Sequence, residues 1–233
     1  MKYRVLNISK SYEELKVLDN ISIDFPKDKT TCILGPSGCG KSTLLNIIAG
    51  ILDPDSGDVV GFKDESISFV FQEDRLIPWK NVRDNLSFVL EGKMDKRDIE
   101  RAIDDYLKSV NLQDYKYYYP SNLSGGMKQR ISILRAFIYP SSILLMDEPF
   151  KSLDINNKHT VMEFFKKLKV MEKRTCILVT HDVDEAIELS DRIIILSDKP
   201  SNVKMVMDNY YVHNKNKEDK AHIKNQIERE LME

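Results

Sequence analysis

The chain has 233 residues, 42% of them hydrophobic and 31% charged, which is enough to bury the full core of one domain with room for a helical insertion. A net charge of −2 speaks against a domain that binds nucleic acid through bulk electrostatics. Cys32, Cys39 and Cys176 form no C-x-x-C pair, so neither a disulfide framework nor a zinc site is implied, and no apolar run reaches bilayer-spanning length.

In chain order, Tyr3 to Phe25 shows short alternating runs, with Ile21, Ile23 and Phe25 separated by polar residues, and predicts small antiparallel strands. Thr31-Cys32-Ile33-Leu34 predicts a buried strand, and Leu44 to Ala49 predicts a helix. Between them lies Gly35-Pro36-Ser37-Gly38-Cys39-Gly40-Lys41-Ser42-Thr43, which fits G-x-x-x-x-G-K-[ST], the Walker A pattern. A glycine-rich loop between strand and helix leaves backbone N–H groups free to surround a phosphate. Lys41 can reach terminal phosphates and Ser42 can ligate magnesium. Asp53 to Gly57 is dense in turn residues, and Ile67 to Phe71 predicts another strand leading to Gln72.

From Asn81 to Tyr119 the pattern becomes helical. Val82, Leu86, Val89 and Leu90 share one face, and Ile99, Ile103, Leu107 and Val110 share another, as in an inserted helical lobe. A helix from about Met127 should end near Pro140. Ile143 to Met146 predicts a buried strand whose end carries Asp147 and Glu148, at the edge where open α/β sheets bind ligands. Asp147 suits magnesium, and Glu148 can polarise an attacking water. A helix carrying Val161, Phe164, Phe165 and Leu168 comes next, then strands at Cys176–Val179 and Ile193–Leu196. Asn214 to Glu233 predicts a charged terminal helix with Ile223, Ile227 and Leu231 on one stripe.

Leu123-Ser124-Gly125-Gly126-Met127-Lys128-Gln129-Arg130 places a polar cap and two glycines at a helix start, a second anion-binding element. With this segment the chain resembles, over nearly its whole length, the ATP-binding subunit of an ABC transporter. The resemblance implies an α/β fold: a P-loop NTPase core with an N-terminal antiparallel β subdomain and an inserted α-helical subdomain at about 81–135. It implies a single ATP-binding domain over residues 1–233.

The resemblance also implies site roles. Tyr12 corresponds to the aromatic that stacks on adenine, although a surface tyrosine in a hairpin reads the same way. Gln72 corresponds to a glutamine that senses magnesium and water, Asp154 to a loop crossing between subunits, and His181 to a histidine on the terminal phosphate. Lys151 departs from the small residue usual at the start of that loop. The implied cofactors are ATP and Mg2+. The implied partners are a second ATP-binding subunit, alike or different, a transmembrane permease and, indirectly, an extracellular substrate-binding protein. The implied location is the cytoplasmic face of a membrane.

Phe71 to Trp79, with Arg75-Leu76-Ile77-Pro78-Trp79, is similar to the nitrate, sulfonate and taurine importer branch. Trp79 suits either half-buried packing or a partner contact. A soluble ABC ATPase with cytosolic partners and an ATP-sensing module that does not hydrolyse are the rival readings.

Overall fold

In the computed structural model, which describes residues 3–151 and 153–232, two sheets meet across the phosphate-loop segment. The smaller is antiparallel, built from β1 (Tyr3–Tyr12), β2 (Leu15–Phe25) and β4 (Ser56–Val60) in the order β2-β1-β4. The larger contains β3 (Thr30–Leu34), β5 (Ile67–Val70), β6 (Ile143–Asp147), β7 (Thr175–Thr180), β8 (Arg192–Leu196) and β9 (Val203–Asp208). Its order is β5-β6-β7-β3-β8-β9, parallel except for the β8–β9 pair.

Register, more than any single contact, builds the site. Val70 pairs with Met146, Asp147 with Val179, and Leu34 with Thr180. The residues just beyond these positions, Gln72, Glu148, Gly35 and His181, therefore share the carboxyl edge of one parallel sheet. The strands behind that edge are apolar because helices or strands cover both faces. Successive side chains point to opposite faces. Cys32, Leu34, Leu144, Met146 and Leu178 enter one core cluster, while Ile33, Ile143, Leu145, Ile177 and Val179 enter the other.

The first cluster is shared with α2 (Val82–Phe88), α3 (Lys96–Ser109), α4 (Gly125–Ile138), α5 (Ile155–Met171), α6 (Val183–Leu189) and α8 (Lys217–Met232). The second cluster is covered by β1, β2 and α1 (Lys41–Ile48).

Several boundaries differ from those expected. The Ser56–Val60 segment, expected as the end of a turn, pairs with β1 as an edge strand. β9 alternates half-buried Val203, Met205 and Met207 with exposed neighbours, as a half-covered edge strand does. α4 begins at Gly125 rather than near Met127, because the Ser124 hydroxyl caps the Met127 N–H at 3.3 Å. It ends at Ile138, close to the expected stop near Pro140. The terminal helix, expected from Asn214, starts at Lys217 as α8, and a separate turn, α7 (Tyr211–Asn214), precedes it and ends at Lys215, whose φ of 54° is left-handed.

The far end of α4 is capped by Arg174, 5% exposed. Its guanidinium donates to the carbonyls of Ala136 at 3.1 Å, Phe137 at 2.5 Å and Tyr139 at 2.9 Å, and pairs with Glu172. Those are carbonyls that a helix C-terminus leaves without intrahelical partners. Arg174→Met should cost about 3 kcal/mol and lower the melting temperature by about 6–12 °C in a thermal scan. A melt within about 1 °C of the parent would show that the guanidinium is dispensable to α4.

Candidate nucleotide site

The phosphate loop folds as a tight arch. Gly38 and Gly40 have φ of 81° and 112°. A Cβ on Gly40 would stand 2.8 Å from side-chain carbons of Val17 and Leu18, so both conformation and space require glycine there. The Ser201 hydroxyl donates to the Cys39 carbonyl and holds the loop from behind. The Cys39 thiol is buried, and burial pushes its pKa up, so it is a packing group rather than a nucleophile.

Lys41, 4% exposed, lies under the arch and donates to the carbonyls of Gly35 at 2.8 Å and Pro36 at 2.7 Å. The arch is thus preformed around a cation. A phosphate entering it would meet Lys41 together with N–H groups at the start of α1.

Ser42 donates to Asp147 Oδ1 at 2.8 Å. The two oxygens stand side by side, as expected of a pair that ligates a hard cation together with phosphate oxygens and water. Burial and the neighbouring Glu148 charge push the Asp147 carboxyl above its ordinary value, partly offset by the Ser42 hydroxyl. A divalent cation would reverse that penalty, so this donor set fits Mg2+.

Glu148 follows with φ of 41°, unusual outside glycine, and its N–H donates to the Val179 carbonyl at 3.0 Å. Its buried Oε2 lacks an aligned hydrogen bond, but stands 2.7 Å from Lys151 Nζ and 3.3 Å from His181 Nδ1. Burial pushes the carboxyl up, yet Lys151, His181 and Lys41 outweigh it and hold Glu148 below its ordinary value. Glu148 is therefore an anion facing the phosphate loop.

Tyr12, Lys41, Ser42, Thr43 and Glu148 line one cavity of about 240 Å³, together with Lys199 from the loop after β8. Tyr12 is half exposed at its mouth, a position open to a flat ring.

Gln72, Gly125 and Leu153 line a different cavity of about 430 Å³. The signature turn stands at its rim: Ser124 and Gly125 are exposed, while Gly126 is buried against α5. A Cβ on Gly126 would come within 2.8 Å of Asn157 Oδ1. Asn157 in turn binds Asp154, the N-cap of α5, whose carboxylate accepts from the Asn157 N–H at 3.0 Å and is lowered by it. The signature turn and Asp154 thus form one unit, joined through Asn157. Ser152 of the Lys151–Asp154 loop lies outside the described residues.

Three supports escaped sequence reasoning. Lys199 and the Lys151–Glu148 pair left no pattern to find. The third is Lys158 on α5, which pairs with Asp182 at 2.5 Å and Glu185 at 2.6 Å, on either side of the start of α6. Glu185 also accepts from Thr180 at 2.5 Å, so His181 is held between two anchored neighbours. Trp79 is corrected in the other direction. It is 77% exposed, so half-buried packing does not describe it.

Comparison with known proteins agrees with this geometry. The ABC transporter family profile matches residues 18–151. The chain is 39% identical over 216 residues to the aliphatic sulfonates import ATP-binding protein SsuB of Bacillus thuringiensis, covering 90% of this chain and 85% of that one. It is 38% identical over 218 residues to an ABC transporter ATP-binding protein of Methanocaldococcus jannaschii, covering 89% and 82%. Among solved structures, a bacterial ABC transporter cassette captured as a dimer superposes with a TM-score of 0.75 at 30% identity, covering 88% of this chain and 98% of that one.

Proposed function

The chain belongs to the ABC transporter family as an ATP-binding, ATP-hydrolysing subunit, and from that premise we propose that two such subunits close around ATP to drive solute import through a membrane permease. The observation that carries this reading is the separation of two anion-binding elements. The phosphate loop opens on one cavity and the exposed Ser124-Gly125 turn stands at another. A second subunit placed head to tail would bring its own turn over the first subunit's phosphate loop. The triphosphate would then satisfy N–H groups of both subunits, which would otherwise be buried unpaired at the interface.

In this reading Tyr12 stacks on adenine, residues Gly35 to Thr43 and the partner's signature turn hold the phosphates, and Asp154 meets the partner subunit. Bound Mg2+, held by Ser42 and Asp147, would neutralise phosphate charge, with Gln72, at the same sheet edge but lining the other cavity, as the proposed sensing residue. Glu148 orients and deprotonates the attacking water, and His181 donates to the terminal phosphate. Hydrolysis removes the bridge between the halves, and they part.

The permease would dock on the segment Gln72 to Trp79 and the helical lobe. This segment is fastened from beneath: Arg135 donates to the carbonyls of Arg75 at 2.9 Å and Asp74 at 3.1 Å, and the Asn85 side-chain Oδ1 accepts from the Ile77 N–H at 2.8 Å. The Val82 N–H donates to the Tyr118 carbonyl at 2.9 Å, and Trp79, Tyr117 and Tyr118 are all exposed. Rigid, exposed aromatics of this kind suit a protein partner. Among the described residues no helix is long and apolar enough to cross a membrane, so the membrane passage falls to that partner. Likeness to sulfonate importers and the Arg75–Trp79 segment support a small anionic solute of the nitrate, sulfonate or taurine type.

The test is co-purification. Tagged chain recovered from detergent-solubilised membranes should bring a polytopic protein with it, and the complex should hydrolyse ATP. Recovery with soluble proteins alone would favour the soluble ABC ATPase reading.

A further inference from the structure

We infer that Lys151 is a built-in restraint on Glu148, an ammonium that engages the water-activating carboxylate before the site is loaded and must release it before hydrolysis. The inference rests on the proposed role of Glu148 as base.

Its basis is the turn that follows β6. Phe150 is anchored in the core, and the Lys151 N–H donates to the Glu148 carbonyl at 3.2 Å, so the chain folds back over Glu148. Lys151 Nζ then comes to 2.7 Å from Oε2, the oxygen that His181 Nδ1 approaches at 3.3 Å. Among the described residues this ammonium pairs with no other carboxylate. The titratable groups facing Glu148 are Lys41 from α1, Asp147 from the end of β6, Lys151 from the turn, His181 from the end of β7 and, in the same cavity, Lys199 from the loop after β8.

The basic groups differ in freedom and in occupation. Lys41 is buried on loop carbonyls, and His181 follows directly on β7. Lys151 is tethered only by a flexible stem with 40% of its side chain exposed, and its contact is ionic rather than an aligned hydrogen bond. It can therefore swing to water. While it stays, it occupies the oxygen that would otherwise receive the attacking water's hydrogen bond. A turn staple would behave differently, because losing it would loosen the loop without speeding turnover. A residue that orients the base would, on loss, slow turnover.

The test is steady-state phosphate release by the full chain, with kcat and KM read separately. Lys151→Met should raise kcat about two- to fivefold, the equivalent of about 0.4–1 kcal/mol off the barrier, as for one half-exposed ion pair. KM and the affinity for a fluorescent ATP analogue should stay at parental values. Lys151→Gln, a second neutral variant, should rise likewise, and Lys151→Arg, which restores the charge, should return to low turnover. The inference is overturned by an equal or lower kcat in the neutral variants, or by Lys151→Arg turning over as fast as they do. Glu148→Gln assayed in parallel separates the two readings. Hydrolysis by that variant removes Glu148 as base. Its inactivity, combined with no gain in Lys151→Met, removes only the restraint.

Discussion

Glu148→Gln is expected to lower ATP turnover by about 10²–10⁴-fold, or roughly 3–5 kcal/mol of barrier, while ATP binding persists. The substitution keeps side-chain volume and removes a carboxylate that both lines the phosphate-loop cavity and is held as an anion by its neighbours. Asp147 cannot stand in, because its Oδ1 accepts from Ser42 and its place is beside the cation. Nucleotide affinity should not fall, since Lys41, Ser42 and the loop N–H groups are untouched and one anion has been removed from the phosphate's surroundings. The consequence visible without kinetics is association. A variant that binds ATP and cannot break it should accumulate as a nucleotide-dependent dimer in gel filtration. Turnover at the parental rate would remove Glu148 from its role. Full inactivation without an ATP-dependent dimer would instead count against the shared-nucleotide arrangement.

How far this site could be read from sequence depends on how local each interaction is. The central strands were legible because covering both faces of a parallel sheet demands unbroken apolar runs, as in Ile143 to Met146. The ends of those runs then marked Gly35, Asp147, Glu148 and His181 as edge residues. A cap was legible too: Ser124 accepts from a backbone N–H only three residues on. Edge strands were harder. Ser56 to Val60 opens with Ser-Gly-Asp, which signals a turn, and only pairing to β1 makes it a strand. β9 has the faint alternation of a half-covered edge. Contacts between distant segments were invisible. Lys199 joins the Lys41 cavity from far along the chain, and Lys158 reaches Asp182 and Glu185 across two elements. Lys151 stood out only as an unusual residue, and its nearness to Glu148 follows from a turn that residue types alone do not specify. Trp79 errs the opposite way: an indole suggests burial, but the loop under it is held by Arg135 and Asn85, leaving the ring outside.

Lys41→Ala should act on binding rather than on chemistry alone. In the structure the ammonium is buried on two loop carbonyls, Gly35 and Pro36, and Lys41 lines the phosphate-loop cavity. Exchanging those carbonyls for a phosphate replaces neutral acceptors with a charged one. A charge-assisted hydrogen bond of that kind contributes about 1.5–3 kcal/mol, so its loss should weaken ATP binding by roughly 10–150-fold. The thermal melt reports this directly. At an ATP concentration of about 100 times the parental Kd, ligand binding stabilises the parent by about 2.7 kcal/mol, which for a chain of this size raises the melt by about 5–11 °C. A variant binding about 100-fold more weakly would gain about 0.4 kcal/mol at the same concentration, a shift of about 1–2 °C. The unliganded variant should also melt below the parent, because the carbonyls of Gly35 and Pro36 lose their donor. An ATP-induced shift as large as the parent's would mean that the arch does not receive the triphosphate. The metal pair, the base and the shared-dimer reading all depend on its doing so.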